Sequence, residues 1–184
     1  GVIKLNGKEV KIKTPKDAVE LGIGYLSEDR KRYGLCLNLS ITDNTIMSSI
    51  GKLFKGPFVN EAQADKHSEE YIEKIRTKTP STKTKVGSLS GGNQQKVVIS
   101  KWLLRDCDIL IFDEPTRGID VGAKSEIYKL MDELVQQGKS IIMISSELPE
   151  VLRMSDRIVV MCEGRKTGEL DISEATQENI MQLA

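Results

Sequence analysis

Two short stretches concentrate the residues that could do chemistry. In ILIFDEP an apolar run over 109–112 ends on Asp113 and Glu114. Carboxylates at the carboxyl end of a parallel strand lie where open α/β sheets bind ligands. Neighbours there can divide labour: Asp113 can hold Mg²⁺, through water, while Glu114 orients or deprotonates an attacking water. Taken alone, the pair serves equally to cap the loop over 115–118. The second stretch, SLSGGNQQK over 88–96, sets Ser90, Gly91 and Gly92 directly before the helix-like run NQQKVVISKWLL. A helix start offers unpaired N–H groups and the positive end of the helix dipole, and two glycines let an anion approach that backbone with no Cβ in the way. The plainer reading is a glycine-rich turn with Ser90 as an ordinary N-cap.

Holding these groups in place takes an α/β frame. The chain has 184 residues, 39% of them hydrophobic, enough for one domain with a real core and a small inserted lobe. VIKLNGKEVKI places two β-rich runs around Asn6-Gly7 and predicts an antiparallel ribbon. PKDAVELG, from Pro15 to Gly22, is punctuated as a short helix, and IGYL follows as a strand. From about residue 28 to about 104 the pattern turns helical and polar. Within it, NEAQADKHSEEYIEKIR brings Ala64, Tyr71, Ile72 and Ile75 near one face, the mark of a helical lobe. Then come a strand at 109–112, a helix over AKSEIYKLMDELVQQ, a strand at 140–145, a short helix at 148–154 and a strand at 157–161. That alternation, with apolar strands, predicts a parallel sheet covered on both faces. The closing SEATQENIMQLA predicts a helix capped by Ser173.

Composition narrows the function classes. With 27 basic and 27 acidic residues, total charge argues for neither nucleic acid nor an anionic membrane as the main partner. Cys36, Cys107 and Cys162 form no C-x-x-C pair and His67 is the sole histidine, which disfavours a zinc site and fits reduced thiols buried as small hydrophobes. No run approaches the ~20 apolar residues of a membrane helix, and no signal peptide opens the chain, so it reads as soluble. It begins on Gly1 rather than Met, straight into strand-like residues, which reads as an excised or processed fragment. His67 and the cluster Arg30-Lys31-Arg32 are expected to be solvated, and Trp102 to be core of the helical lobe.

LSGG at 89–92 followed by ILIFDEPTRGID resembles the ATP-binding-cassette (ABC) ATPases over essentially the whole chain. Within that family YLSEDRKRYGL, SLSGGNQQK, DEPTRGIDVGAK and ISSELPEVLRMSDRI are similar to the second cassette of the tandem ATPase subunits of bacterial monosaccharide importers, the ribose and galactose type. The resemblance implies a partial ABC-type P-loop NTPase core over about 1–27 and 106–184, with the antiparallel β-ribbon, and a helical subdomain over about 28–105. It also implies that Ser90, Gly91 and Gly92 meet the γ-phosphate of an ATP held by the opposing cassette, with Asn93 in place of the more common glutamine. Asp113 would be the metal ligand, Glu114 the catalytic carboxylate, and Asp120, in GID, an interface residue. ATP and Mg²⁺ are the implied cofactors. The first cassette of the same subunit and a transmembrane permease are the implied partners. The implied location is the cytoplasmic face of the bacterial inner membrane, with membrane contact only through the permease and no nucleic acid.

Three features depart from the general family. No G-x-x-x-x-G-K-[ST] loop follows a strand. ELVQQGKS, over 133–140, has Glu133 where the first glycine belongs and runs from helix into strand, so Gly138 reads as a helix C-cap. The chain alone is therefore expected to bind ATP weakly or not at all. Glu28 stands where a glutamine usually approaches Mg²⁺, and as a carboxylate it would also repel phosphate oxygens. Ser146 replaces a histidine that clamps the γ-phosphate; serine is short, uncharged and no base near neutral pH. Both departures cast doubt on turnover at this cassette's own site. Two other functions stay open: a soluble ABC ATPase of DNA repair or translation, and an inactive interaction domain.

Overall fold

A computed structural model describes all residues, Gly1–Ala184, in two compact units, Gly1–Ile142 and Met143–Ala184. The first opens with the antiparallel ribbon β1 (Ile3–Leu5) and β2 (Lys8–Val10). Its turn is Asn6-Gly7, at φ 50° and 77°, the left-handed pair a two-residue hairpin demands. Helix α1 (Pro15–Glu20) starts in a capping box between Thr14 and Asp17. Strand β3 (Ile23–Leu26) lies parallel to β4 (Ile109–Asp113), with Tyr25 opposite Ile111. Strand β5 (Ser140–Ile144) follows β4 in the sheet and runs from the first unit into the second.

Between β3 and β4 lies the helical stretch: a π-helical turn (Arg30–Gly34), α2 (Ile41–Ile46), α3 (Ile50–Leu53), α4 (Glu61–Lys74) and α5 (Gly91–Arg105). On α4, Ala64 is buried, as is the C-cap Ile75, and Tyr71 packs on the Ile46, Phe54 and Leu104 cluster, as the periodicity predicts. Helix α5 is the axle of this unit, with every residue from Gln94 to Lys101 buried. Two lysines among them are satisfied by named partners: Lys96 Nζ donates to Glu126 Oε2 at 2.7 Å and to the Arg76 carbonyl at 2.9 Å, and Lys101 Nζ to the Gly34 carbonyl at 2.7 Å. Gly24 lets α5 lie close on β3, since a Cβ there would come within 3.0 Å of Trp102 Cγ. Helix α6 (Val121–Gln136) is C-capped by Gln137, and Gly138, expected to be the cap, stands one position further on at φ 87°, its N–H bonding the Val135 carbonyl.

In the second unit, α7 (Leu148–Met154) precedes an antiparallel hairpin of β6 (Arg157–Cys162) and β7 (Arg165–Asp171), and α8 (Gln177–Leu183) closes the chain. The hairpin corrects the expectation that 157–161 would join a parallel sheet. Glu163 and Gly164 both take left-handed angles, φ 46° and 76°, a tight turn that commits β6 to its sequence neighbour. Ser173 is not the cap of α8 either: its Oγ donates to Asp171 Oδ1, while Thr176 accepts the Asn179 N–H. Coverage of the strands is also thinner than expected, with Ile142 and Ile144 on β5 and Val159 and Met161 on β6 exposed. Of the cysteines only Cys107 is fully buried; Cys36 is exposed and Cys162 intermediate. His67 is half-buried and Trp102 largely enclosed. No helix is long and apolar enough to cross a membrane.

Candidate functional site

Strand β4 delivers Asp113 to its carboxyl end, half-buried, where Asp113 Oδ2 accepts a hydrogen bond from Tyr25 Oη at 2.6 Å. The register explains the contact. Tyr25 sits opposite Ile111, residues 111 and 113 share a face, and a long phenol bridges the remaining step. This bond, with some desolvation, raises the Tyr25 pKa above its ordinary value of 10. Glu114 follows at φ 46°, a left-handed conformation that glutamate adopts only under constraint. The strain turns the chain out of the sheet into a loop closed by Arg117 N–H to the Glu114 carbonyl and Ile119 N–H to the Thr116 carbonyl.

That loop ends on Asp120, whose side chain caps α6 by accepting the Ala123 N–H at 2.9 Å. Its interior side lies against the start of α5. Ser90 is the N-cap of α5 by backbone angle, yet its side chain caps nothing. Its Oγ accepts instead from Asn93 Nδ2 at 2.9 Å, and Asn93 Oδ1 takes the Lys78 N–H at 2.8 Å. The ordinary N-cap reading of Ser90 is thereby set aside: its side chain leaves the first-turn N–H groups of α5 uncapped. Gly91 and Gly92 are dictated by packing as well. A Cβ on Gly91 would fall 2.8 Å from Arg30 Nη2 and 3.0 Å from the Gly118 carbonyl, and one on Gly92 would fall 2.7 Å from Ala123 Cβ.

Two residues outside the predicted set complete the cluster. Arg30 is buried, 8% exposed, against the expectation of a solvated basic loop. Its guanidinium donates to the Arg117 carbonyl at 2.9 Å and the Gly118 carbonyl at 3.4 Å, and desolvation lowers its pKa below the ordinary guanidinium range. Arg117 pairs its own guanidinium with Glu28. Glu28 is therefore no lone carboxylate, and the repulsion of phosphate expected from it is offset. Glu28, Arg30, Lys31, Arg117 and Gly118 line an open cavity of about 380 Å³.

Sequence reasoning had access to Arg30 and Arg117 only as charges in two loops. Nothing local separates a buried arginine from a solvated one, although the glycines at 34 and 91 are the trace of a bulky neighbour. In the second unit Ser146 follows β5 and is exposed; beside it Ser145 Oγ donates to buried Glu150 at 2.6 Å and accepts the Glu147 N–H.

The predicted residues thus form two groups tied by the 114–120 loop: Asp113 and Glu114 with Tyr25 at the strand end, and Ser90, Gly91, Gly92 and Asn93 with Arg30 at the helix start. No group of three or more His, Cys, Asp or Glu side chains could cage a metal. A single strand-end carboxylate fits a cation that draws its other oxygens from phosphates and water.

Comparison with known proteins agrees with this architecture. A sequence model described as ABC transporter matches residues 1–117. A Burkholderia ambifaria protein, named as a candidate ribose/galactose/methyl galactoside import ATP-binding protein, is 60% identical over the whole chain. The xylose import ATP-binding protein XylG of Thermoanaerobacter pseudethanolicus is 54% identical over the whole chain. The chain spans 36% of the length of each. Among solved structures, the ADP conformation of the ATP-binding cassette MJ1267 superposes at a TM-score of 0.76 with 20% identity, covering 96% of this chain and 73% of that one. The cassette MJ0796 with ADP and Pi gives a TM-score of 0.73 with 21% identity, covering 91% and 72%. With the strand-end carboxylates, the glycine-opened α5 and the α/β fold all in their places, the chain belongs to the ABC transporter family.

Proposed function

We propose that the chain is the greater part of the second nucleotide-binding domain in the ATP-binding subunit of a bacterial monosaccharide importer. Residues 1–27 and 106–184 would form its α/β core and 28–105 its helical subdomain. The names of its relatives, ribose/galactose/methyl galactoside and xylose import ATP-binding proteins, support the sugar-import reading. They also support a permease partner and a peripheral place on the cytoplasmic side of the membrane.

The observation that carries the role is the start of α5: two glycines, no side-chain cap, and a buried guanidinium behind them. Backbone N–H groups and the helix dipole there would receive the γ-phosphate of an ATP held by the first cassette. Asp120 would lie at the same interface. Asp113 and Glu114 would belong to this cassette's own site, Asp113 holding Mg²⁺ and Glu114 orienting water. Mg-ATP, when bound, supplies the phosphoryl group whose transfer drives the cycle. Ser146 supplies no imidazole, which makes the first cassette's ATP the faster one to turn over. We place the missing P-loop between a strand and a helix of the complete domain outside these 184 residues; Ile142 and Ile144, exposed on one face of β5, are where a further helix of that domain would pack.

The test is direct. The 184-residue chain alone should hydrolyse Mg-ATP no faster than a denatured control. Robust turnover by the pure chain, abolished by Glu114→Gln, would refute the proposal.

A further inference from the structure

We propose that Arg30 is a positioning residue for the start of α5: its buried guanidinium locks the 114–120 loop and the first α5 turn into one rigid surface presented to the nucleotide's terminal phosphate. The inference rests on the phosphate-facing reading of Ser90–Gly92 given above.

Two glycines make room for this one side chain, and a third, Gly118, lies in ordinary contact with it. A Cβ on Gly34 would lie 3.3 Å from Arg30 Cβ, one on Gly91 2.8 Å from Nη2, and one on Gly118 3.9 Å from Nη2. Gly118 also needs its left-handed φ of 66° to aim its carbonyl inward. The fork onto the Arg117 and Gly118 carbonyls fixes two successive peptide units of the loop, which a single-point ammonium cannot do. On the outer side of the same seam, the Glu28–Arg117 ion pair ties the two loops a second time.

The electrostatics point outward. A buried structural arginine ordinarily spends its charge on a carboxylate. Arg30 has only carbonyl partners, its Nε is buried without one, and the acid that offsets its charge is its sequence neighbour Asp29. It stands behind Gly91, at the positive end of the α5 dipole, where a second positive charge is unfavourable until an anion arrives in front of the helix. Arg30 thus contributes both shape and charge to a surface it does not itself reach.

Arg30→Lys keeps the charge and loses the fork; Arg30→Gln loses the charge and shortens the reach. In this chain, both should raise amide exchange at Arg117 and Ile119, whose N–H groups close the loop, by roughly tenfold, while the interior of α5 stays protected. In the complete subunit with its permease, both should lower kcat by about tenfold or more, with Arg30→Gln the slower. KM for ATP should stay within about threefold, since the opposing P-loop does most of the binding.

Unchanged loop exchange and unchanged kcat in Arg30→Gln would overturn the inference. So would a kcat loss that merely tracks the unfolded fraction in a thermal melt. Ser90→Asp run in parallel separates the levels. If Ser90→Asp abolishes turnover and Arg30→Gln does not, only the role of Arg30 falls. If Ser90→Asp turns over normally, the phosphate-facing reading falls and takes this inference with it.

Discussion

Ser90→Asp should move stability and activity in opposite directions. Ser90 is exposed and sits at the N-cap of α5 with φ −62° and ψ 158°, its hydroxyl engaged only by Asn93. Aspartate is at least as good an N-cap as serine, and a negative charge at a helix N-terminus is favourable by about 0.3–1 kcal/mol. The new carboxylate can keep the Asn93 contact and also accept the N–H groups that Ser90 leaves uncapped. For a domain of this size that gain corresponds to a melting temperature unchanged or raised by about 1–4 °C.

A phosphate approaching the same N–H groups would meet a unit negative charge at roughly 4 Å. At an effective dielectric of about 20 that costs about 4 kcal/mol per charge pair, on the order of a thousandfold in rate. The assay pairs thermal denaturation of this chain with sugar-stimulated ATP hydrolysis by the complete subunit and its permease in proteoliposomes. Turnover within about twofold of wild type in a variant that melts no lower would refute the assignment of the α5 start to the nucleotide.

Two other perturbations follow from the same geometry. Gly24→Ala would push a methyl to 3.0 Å from Trp102 Cγ and 3.1 Å from Leu110 Cδ2, so urea denaturation should find it about 1–3 kcal/mol less stable, the usual cost of overpacking. Tyr25 should ionise above its ordinary pKa of 10, because its hydroxyl donates to Asp113. A folded pKa raised above the unfolded one means that the contact stabilises below pH 10 and is lost as pH climbs through the folded value. The ultraviolet titration of Tyr25 should shift down in Asp113→Asn, and an unmoved midpoint would disprove the coupling.

What was legible in the sequence was what short-range rules govern. Asn6-Gly7 declared its hairpin, Pro15 and Gly22 bracketed α1, and the apolar run before Asp113 was a strand ending on its carboxylate. The glycines before α5 were readable as a helix start because glycine and serine have few other reasons to stand there. Illegible were the features that depend on who lies opposite. Arg30 is buried by residues 87 and 88 positions away, and Glu28 is neutralised by Arg117 from the far side of the helical stretch. The β6–β7 hairpin was missed because its Glu163-Gly164 turn lacks the Asn or Asp that usually announces one, and β7 itself, RKTGELD, is too polar to alternate cleanly. Thr176 outranked Ser173 as a cap because Asp171 had already engaged the serine hydroxyl.

The closeness of Gly92 to Ala123 changes how mutational scans of this motif should be read. With the nearest methyl 2.7 Å from where a Cβ would stand, any side chain at position 92 drives α5 away from α6 before a ligand is considered. Depletion of side-chain variants at Gly92 therefore reports first on the fit between two helices, and a scan cannot read from it what the Gly92 backbone does for a ligand. Ser90, with its open face, is the position where tolerance and intolerance report on the nucleotide. A double substitution such as Gly92→Ala with Ala123→Gly, moving one methyl across the seam, would show how much of the glycine's apparent indispensability belongs to the interior.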